Sequence, residues 1–181
     1  MNAGSWGLHS LRGSPLPNDG VTEIEARVVA ALDGAGVPYE LIACDPHFAD
    51  TAAFCERYGY PPSRSANTIV VASKKEPRRH VACVVLATTR LDVNGVVRRR
   101  LGVSKASFAS AEETAAITGM TIGGVTALAL PDGLPLWVDS RVVAQPSVIL
   151  GGGSRSMKVD VSPEVFERLG AEVVEGLATE P

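Results

Sequence analysis

Two β-branched apolar runs, separated by a short polar connection, constrain the fold more than any other feature of the sequence. Residues 68–72 (TIVVA) and 80–87 (HVACVVLA) have the length and composition of buried strands. The seven residues between them, 73–79 (SKKEPRR), are too few for the crossover that a parallel pair of strands requires. The sequence therefore predicts an antiparallel hairpin in the centre of a sheet, with a cationic tip.

Helices and strands are expected on both sides of this hairpin. Capping signals predict helices that begin at Thr22, Asp50 or Thr51, Asp92, Ser110 and Ser162. Apolar runs predict further strands at 39–43, 134–139, 147–150, 157–161 and 172–174. We therefore expect an α/β (α+β-like) fold with a mixed, largely antiparallel central sheet and surrounding helices.

The composition favours one globular domain. Of the 181 residues, 45% are hydrophobic and 20% are charged, which is not the profile of a disordered chain. Residues 1–20, rich in Gly, Ser and Pro, are predicted to form a disordered tail, and residues 21–177 a single domain. We expect a soluble, cytoplasmic protein, because the sequence contains neither an apolar run of roughly 18 residues nor the apolar segment of a signal peptide.

Positive charge is concentrated in one part of the chain. Residues 57–105 contain eleven basic and two acidic side chains, a formal charge of +9, although the whole chain carries −3. A local positive field of this kind favours polyanionic partners such as nucleic acids. The alternative is that the basic residues are spread over solvated faces of the fold.

The common cofactor and metal motifs are absent from the sequence. Gly151-Gly152-Gly153 follows a strand, but the spacing and the following strand do not fit a dinucleotide-binding loop, and there is no P-loop or nucleophile-elbow sequence. Cys44-x-x-His47 has no matching second pair of ligands, so a zinc site is not predicted. We expect no cofactor and no metal.

Several short motifs follow one another in order between residues 22 and 175. They are ANTIVV at 66–71, ITGMTIGGVT at 117–126, LPLWVD at 134–139, LGGGSRSMKVDV at 150–161 and SPEVF at 162–166. In order and spacing they resemble the YbaK/prolyl-tRNA synthetase-associated domain family, which contains free-standing editing proteins and the editing domain inserted in bacterial prolyl-tRNA synthetases. The resemblance implies a deacylase that hydrolyses mischarged aminoacyl-tRNA of the prolyl type. Its expected partner is the acceptor end of tRNA, with an aminoacyl-tRNA synthetase as a second candidate.

The resemblance also implies where the functional residues lie. Family members carry their key lysine in a Lys-Thr pair at the start of the hairpin strand, and here that pair is Asn67-Thr68. An asparagine offers two donors and an acceptor but no charge. The expected catalytic group is Asn67, Thr68, Gly123 and Gly124, with the glycine amides as donors to an oxyanion. Substrate contacts are expected from Thr126, Gly152, Gly153, Ser154, Arg155 and Asp160, and tRNA contacts from Lys74, Lys75, Arg78, Arg79, Arg98, Arg99 and Arg100.

Two alternatives to a prolyl-type deacylase follow from departures from the family pattern. Asn67 in place of lysine favours a catalytically reduced member that binds tRNA or a protein partner without deacylation. The glycine loop continues from Thr126 to Ala127, where the family usually has a proline. A reshaped pocket of this kind favours another small ester or a modified aminoacyl-tRNA as the substrate.

Overall fold

The computed structural model describes residues 21–181, which form six α-helices and ten β-strands. The helices are α1 (Glu23–Ala35), α2 (Thr51–Tyr58), α3 (Arg98–Leu101), α4 (Ala111–Thr118), α5 (Ser140–Val143) and α6 (Val165–Arg168). The strands are β1 (Tyr39–Ala43), β2 (Ala66–Ser73), β3 (His80–Leu86), β4 (Arg90–Leu91), β5 (Ala106–Phe108), β6 (Leu136–Asp139), β7 (Val148–Gly151), β8 (Met157–Val161), β9 (Glu172–Val174) and β10 (Ala178–Thr179). The expected disordered tail, residues 1–20, lies outside the described residues. Among the described helices, none has both the length and the hydropathy needed to cross a bilayer.

The central hairpin forms as the sequence predicts. β2 and β3 pair antiparallel, with Asn67 opposite Val85 and Ala72 opposite His80. They belong to a five-stranded sheet in the order β5-β2-β3-β6-β9, in which β5 joins antiparallel and β6 and β9 continue in parallel. Five of the seven strand pairings in residues 21–181 are antiparallel. The expected mixed, largely antiparallel sheet is therefore confirmed.

A second, three-stranded sheet has the order β1-β8-β7 and is entirely antiparallel. A parallel bridge between Ser65 and Ile149 joins it to the start of β2. The main hydrophobic core lies between the sheets and α1, where Val28 and Leu32 pack with Val84 of the first sheet and Leu150 of the second. Each aliphatic side chain buried in this way contributes about 1.5–3 kcal/mol.

The predicted capping box fixes the start of α1. The amide of Thr22 donates to Glu25 Oε2 at 2.8 Å, and the amide of Glu25 donates to Thr22 Oγ1 at 3.3 Å. Glu25 also accepts a hydrogen bond from the hydroxyl of Ser154. The cap therefore connects α1 to the glycine-rich turn between β7 and β8.

The helix predicted after Asp92 begins with a wider turn than expected. Residues Val93–Val97 form a π-helical turn, and only Arg98–Leu101 are α-helical. Both carboxylate oxygens of Asp92 accept amides, Oδ1 from Gly95 at 2.8 Å and Oδ2 from Val96 at 3.0 Å. Asp92 therefore caps the segment as the sequence predicts, but the capping pattern does not reveal the π-helical turn.

A buried carboxylate holds the end of the chain. Asp139, which is 1% exposed at the end of β6, accepts hydrogen bonds from the guanidinium and amide of Arg141 and from the amide of Ala178. The strand that begins at Ala178, β10, pairs with β4. β10 lies just beyond residue 177, the predicted end of the single domain.

Candidate functional site

A cavity of about 420 Å³ opens beside the first half of β2. Its walls come from the start of α2, the end of β5, the loop around Gly123, and the facing parts of β7 and β8. Phe54, Val70, Ile149 and Leu150 make much of the wall apolar. A concave, mostly apolar space of this size with a few polar groups is typical of a small-molecule or cofactor site.

Asn67 and Thr68, the pair expected to be catalytic, both line this cavity. Asn67 Oδ1 accepts a hydrogen bond from the hydroxyl of Thr51 at 2.6 Å, which fixes the orientation of the amide. Thr68 is 8% exposed, and its buried hydroxyl has no hydrogen-bond partner within residues 21–181. Buried hydroxyls are nearly always hydrogen-bonded in folded proteins, so the Thr68 hydroxyl is available to a ligand or a water in the cavity.

The loop around Gly123 is held by close packing against the turn that follows β7. The amide of Gly124 donates to Thr121 O at 2.9 Å, and Gly124 O accepts from the amide of Gly153 at 2.7 Å. A Cβ on Gly124 would lie 2.4 Å from the carbonyl of Ser154. The packing therefore requires glycine at this position, and of the pair only Gly123 lines the cavity.

The four expected substrate contacts in the turn after β7 support this loop from outside the cavity. The amide of Gly152 donates to Met157 O at 3.0 Å, and that of Gly153 is used by Gly124. The Arg155 guanidinium donates to Pro46 O at 2.8 Å and 3.0 Å, to Ile122 O at 3.1 Å and to Asp50 at 3.3 Å. The hydroxyl of Ser154 donates a hydrogen bond to Glu25 Oε1. None of these four residues is among those that line the described cavity.

Thr126 and Asp160, the remaining expected substrate contacts, also lie outside the cavity walls of the described chain. Thr126 is fully buried, and its hydroxyl accepts the amide of Leu128 at 3.3 Å. Asp160, on β8, pairs with Arg64, in the turn before β2, at 3.1 Å. Both residues contribute to the frame that surrounds the cavity.

The cavity contains a lysine that sequence reasoning did not identify. Lys158, on β8, is 5% exposed, and its Nζ donates to Ala49 O at 2.6 Å and to Gly123 O at 2.8 Å. The same nitrogen lies 5.7 Å from the centre of the Phe54 ring. Burial lowers the pKa of Lys158 below the ordinary lysine value. In the sequence, a single lysine in a short strand is no signal, since strand lysines usually face solvent.

The seven cations expected to bind tRNA divide into three groups: bonded arginines, exposed cations, and cations that line a cleft. Arg78 pairs with Glu113, Arg79 donates to Leu101 O at 2.9 Å, and Arg100 pairs with Glu172. Lys75 and Arg99 are exposed. Lys74 and Arg98 line a shallow cleft of about 300 Å³, together with Asn94, Ser104, Lys105 and Ala106. We refer to this cleft, which contains the three cations Lys74, Arg98 and Lys105, as the basic cleft.

The basic cleft and the cavity adjoin along the edge strand β5. Ala106 lines the cleft and pairs with Ser73, whereas Phe108 lines the cavity and pairs with Val71. Two residues of an antiparallel strand span about 7 Å. Phe108 is 58% exposed, so an aromatic face is presented to solvent between the cations and the cavity.

The solved structures with the same fold include two small proteins of unassigned or proposed function. A proposed trans-editing enzyme for prolyl-tRNA synthetase shares 22% identity with this chain and superposes with a TM-score of 0.74, covering 90% of this chain and all (100%) of that one. A hypothetical protein shares 26% identity with a TM-score of 0.74, covering 82% of this chain and 97% of the other. These likenesses establish the fold.

The sequence matches the profile of the aminoacyl-tRNA editing domain over residues 45–169. The matched segment begins before α2 and ends after α6, so it includes β2, β7, β8 and the loop around Gly123. All residues that line the cavity lie within it. The chain therefore belongs to the aminoacyl-tRNA editing domain family.

Proposed function

We propose that the protein hydrolyses the ester bond of mischarged aminoacyl-tRNA, in particular of tRNA for proline that carries the wrong amino acid. The observation that carries this proposal is the cavity beside β2, which adjoins a cationic cleft in a chain of the editing-domain family. The cavity accepts the aminoacyl group and the cleft receives phosphates. The proposed partner is the acceptor end of tRNA, which places the reaction in the cytoplasm, where tRNA is charged.

The chemistry is attack of water on the ester carbonyl carbon. The new C–O bond forms as the carbonyl oxygen becomes an oxyanion, and the tetrahedral species then breaks its bond to the ribose oxygen. The proton of the attacking water passes to that ribose oxygen, and the amino acid released loses its carboxyl proton to solvent. Donors aimed at the oxyanion provide much of the rate acceleration in such reactions. The Gly123 amide and the Thr68 hydroxyl, both at the cavity wall, are the groups we assign to the oxyanion and the water.

The apolar part of the wall suits a small, uncharged amino-acid side chain. Phe54, Val70, Ile149 and Leu150 provide no charged partner for an acidic or basic side chain, and the charged lining residues Asp50 and Lys158 are already bonded to Arg155 and to backbone carbonyls. The volume of about 420 Å³ leaves space for the terminal ribose beside such a side chain. We therefore propose small aliphatic or proline-like esters as substrates.

The adjoining surface suits a single-stranded 3′ end. Lys74, Arg98 and Lys105 offer three positive charges to the phosphates that precede the terminal nucleotide. Phe108, exposed between these cations and the cavity, is placed to stack on an unpaired base. An aromatic platform next to cations is the usual way in which proteins hold single-stranded nucleic acid.

The test of this function is amino-acid release from a panel of mischarged tRNAs by the purified chain. We expect release from at least one tRNA carrying a small aliphatic amino acid, and none from the correctly charged forms. A second candidate, tRNA binding without deacylation, is favoured by the uncharged Asn67 at the position of the family's lysine. Binding to every tRNA of the panel without release from any of them would replace the deacylase proposal by this one.

Replacing Thr68 with valine should separate catalysis from stability. The two side chains have nearly the same shape, and the Thr68 hydroxyl has no partner among residues 21–181, so we expect the melting temperature to be unchanged or slightly higher. We expect the deacylation rate to fall about 10–100-fold if this hydroxyl holds the water or the oxyanion. Thr126→Val is the matched control. The buried Thr126 hydroxyl accepts a hydrogen bond from the amide of Leu128, so its removal should lower stability instead of the rate. Equal rates for wild type and Thr68→Val would remove Thr68 from the mechanism.

Replacing Lys74 and Lys105 with alanine should weaken tRNA binding without unfolding the chain. Each phosphate contact contributes close to one unit to the slope of log affinity against log salt, so we expect the double variant to have a slope about two units shallower. The loss should be similar for different tRNA species, because phosphate contacts carry no sequence information. Arg168→Ala, which removes an exposed cation on α6, is the control. Affinity and salt slope equal to those of wild type would show that the cleft is only a solvated face.

A further inference from the structure

We propose that Lys158 is the catalytic cation of the cavity and that it stabilises the oxyanion formed from the ester carbonyl. The proposal rests on the deacylase function proposed above. It assigns to β8 a charge that the sequence pattern of the hairpin strand β2 does not provide.

The geometry holds the ammonium group of Lys158 in one place. Two of its three N–H groups donate to carbonyl oxygens of the cavity wall, those of Ala49 and Gly123, at 2.6 Å and 2.8 Å. The third N–H has no acceptor among the described residues. Because Lys158 itself lines the cavity, this third donor is available to a bound ester. A donor fixed before the substrate arrives needs no reorganisation during the reaction, which is the requirement for oxyanion stabilisation.

The Lys158 ammonium group has no carboxylate as an ion-pair partner among the described residues. Within residues 21–181, no carboxylate oxygen lies within 4 Å of Lys158 Nζ, although Lys158 is only 5% exposed. The charged and titratable groups that face it are Asp50 before α2, Cys55 on α2, Cys44 after β1, and Arg155 in the turn before β8. Asp50 is the acid of this set, and it is bonded to Arg155. An isolated buried charge is unfavourable for folding, so its presence at a cavity indicates a ligand on which negative charge develops.

Asn67, at the position of the family's lysine, provides no charge to the cavity. Asn67 lines the same space, but its oxygen is used by the hydroxyl of Thr51, and its amide carries no charge. Lys158 is therefore the cation that lines the cavity in the described chain. When water attacks the ester carbonyl, the electron pair of the C=O bond moves to oxygen, and the third N–H of Lys158 donates to that oxygen. The C=O bond reforms as the ribose oxygen departs with the proton from the water, and Lys158 keeps its own proton throughout.

The experiment compares the variants Lys158→Met, Lys158→Arg and Asn67→Lys/Lys158→Met. Single-turnover rates are measured on the mischarged tRNA that the wild type hydrolyses fastest, together with the affinity for uncharged tRNA, the melting temperature and the near-UV circular dichroism. We expect Lys158→Met to lower the rate about 100-fold or more with tRNA affinity unchanged, since methionine fills the space without charge. Lys158→Arg should be less impaired than Lys158→Met. The double variant, which returns a cation to the cavity from β2, should be at least tenfold faster than Lys158→Met. Arg168→Met, on the surface of α6, should have the wild-type rate.

The outcomes distinguish this proposal from the function on which it depends. A wild type that releases no amino acid from any tRNA refutes the deacylase function, and the role of Lys158 with it. A wild type that is active and a Lys158→Met variant within threefold of it overturn only the role of Lys158. A loss in Lys158→Met that comes with altered circular dichroism, and that Asn67→Lys does not restore, shows that the lysine only holds the loop and also overturns the proposal. A loss with unchanged circular dichroism, or one that Asn67→Lys restores, supports it.

Discussion

Replacing Asp139 with alanine is expected to lower the free energy of unfolding by about 3 kcal/mol or more. The carboxylate accepts the amide of Ala178 at 2.9 Å and two guanidinium bonds from Arg141 at 2.9 Å and 3.2 Å, and it also caps α5. Its removal leaves the buried amide of Ala178 without an acceptor and takes the carboxylate partner from the Arg141 guanidinium, which keeps its hydrogen bond to Ala178 O. Such an uncompensated group costs far more than the loss of an exposed ion pair.

The same residue gives the stability a dependence on acid pH. Burial alone would raise the pKa of Asp139, but the hydrogen bonds from Arg141 and Ala178 outweigh it and hold the pKa below the ordinary aspartate value. A group whose folded-state pKa is lowered stabilises the fold above its unfolded pKa of about 3.9 and loses this contribution as the pH falls through the folded value. We therefore expect the difference between wild type and Asp139→Ala to be full at pH 7 and to shrink below pH ~4. Denaturant unfolding at several pH values measures it, and a difference that does not change with pH would contradict the assignment.

Replacing Gly151 with alanine is expected to lower the free energy of unfolding by about 1–3 kcal/mol and to lower deacylation more than tenfold. A Cβ at this position would lie 2.5 Å from Val125 O and 2.8 Å from Gly124 O, and both atoms belong to the backbone of the glycine loop. The loop must move to admit the methyl group, and it carries Gly123 and the carbonyl that orients Lys158. The expected loss of activity is therefore larger than the loss of folded protein alone would cause.

Gly34 provides the matched control for this substitution. It lies in α1, and a Cβ built there meets nothing within 4 Å. Gly34→Ala is expected to raise the free energy of unfolding by about 0.5–1 kcal/mol, since alanine is the better helix residue, and to leave the rate unchanged. Equal stability changes in Gly151→Ala and Gly34→Ala would contradict the close approach of the end of β7 to the glycine loop.

The parts of the fold that the sequence predicts correctly depend on local physics. The hairpin follows from two apolar runs and a connection too short for a crossover, and the start of α1 follows from the Thr22–Glu25 capping box. Both predictions use residues that are close together in the chain. The expectation that Asn67 and Thr68 belong to the site comes from the family resemblance; both line the cavity, and their catalytic role stays a prediction.

The parts that the sequence does not predict depend on contacts between distant segments. Lys158 is buried because α2 and the glycine loop cover the face of β8 that would otherwise meet solvent, and no periodicity in MKVDV reveals that cover. Arg155 is predicted from the sequence to contact the substrate, but Pro46 O and Ile122 O accept its hydrogen bonds. Backbone acceptors of this kind carry no sequence signal.

The pairing of β1 with β8 has a consequence for how the molecule reaches its native state. Tyr39 lies opposite Val161, so this sheet cannot close until residue 161 has been synthesised, whereas the hairpin of β2 and β3 joins neighbouring segments and can form earlier. Bringing together strands so far apart costs loop-closure entropy before any contact is gained. β7 and β8, which supply one wall of the cavity, pair with each other locally, but the bridge between Ser65 and Ile149 that joins them to the start of β2 connects distant segments. A chain in which only the hairpin of β2 and β3 has formed would therefore lack the cavity.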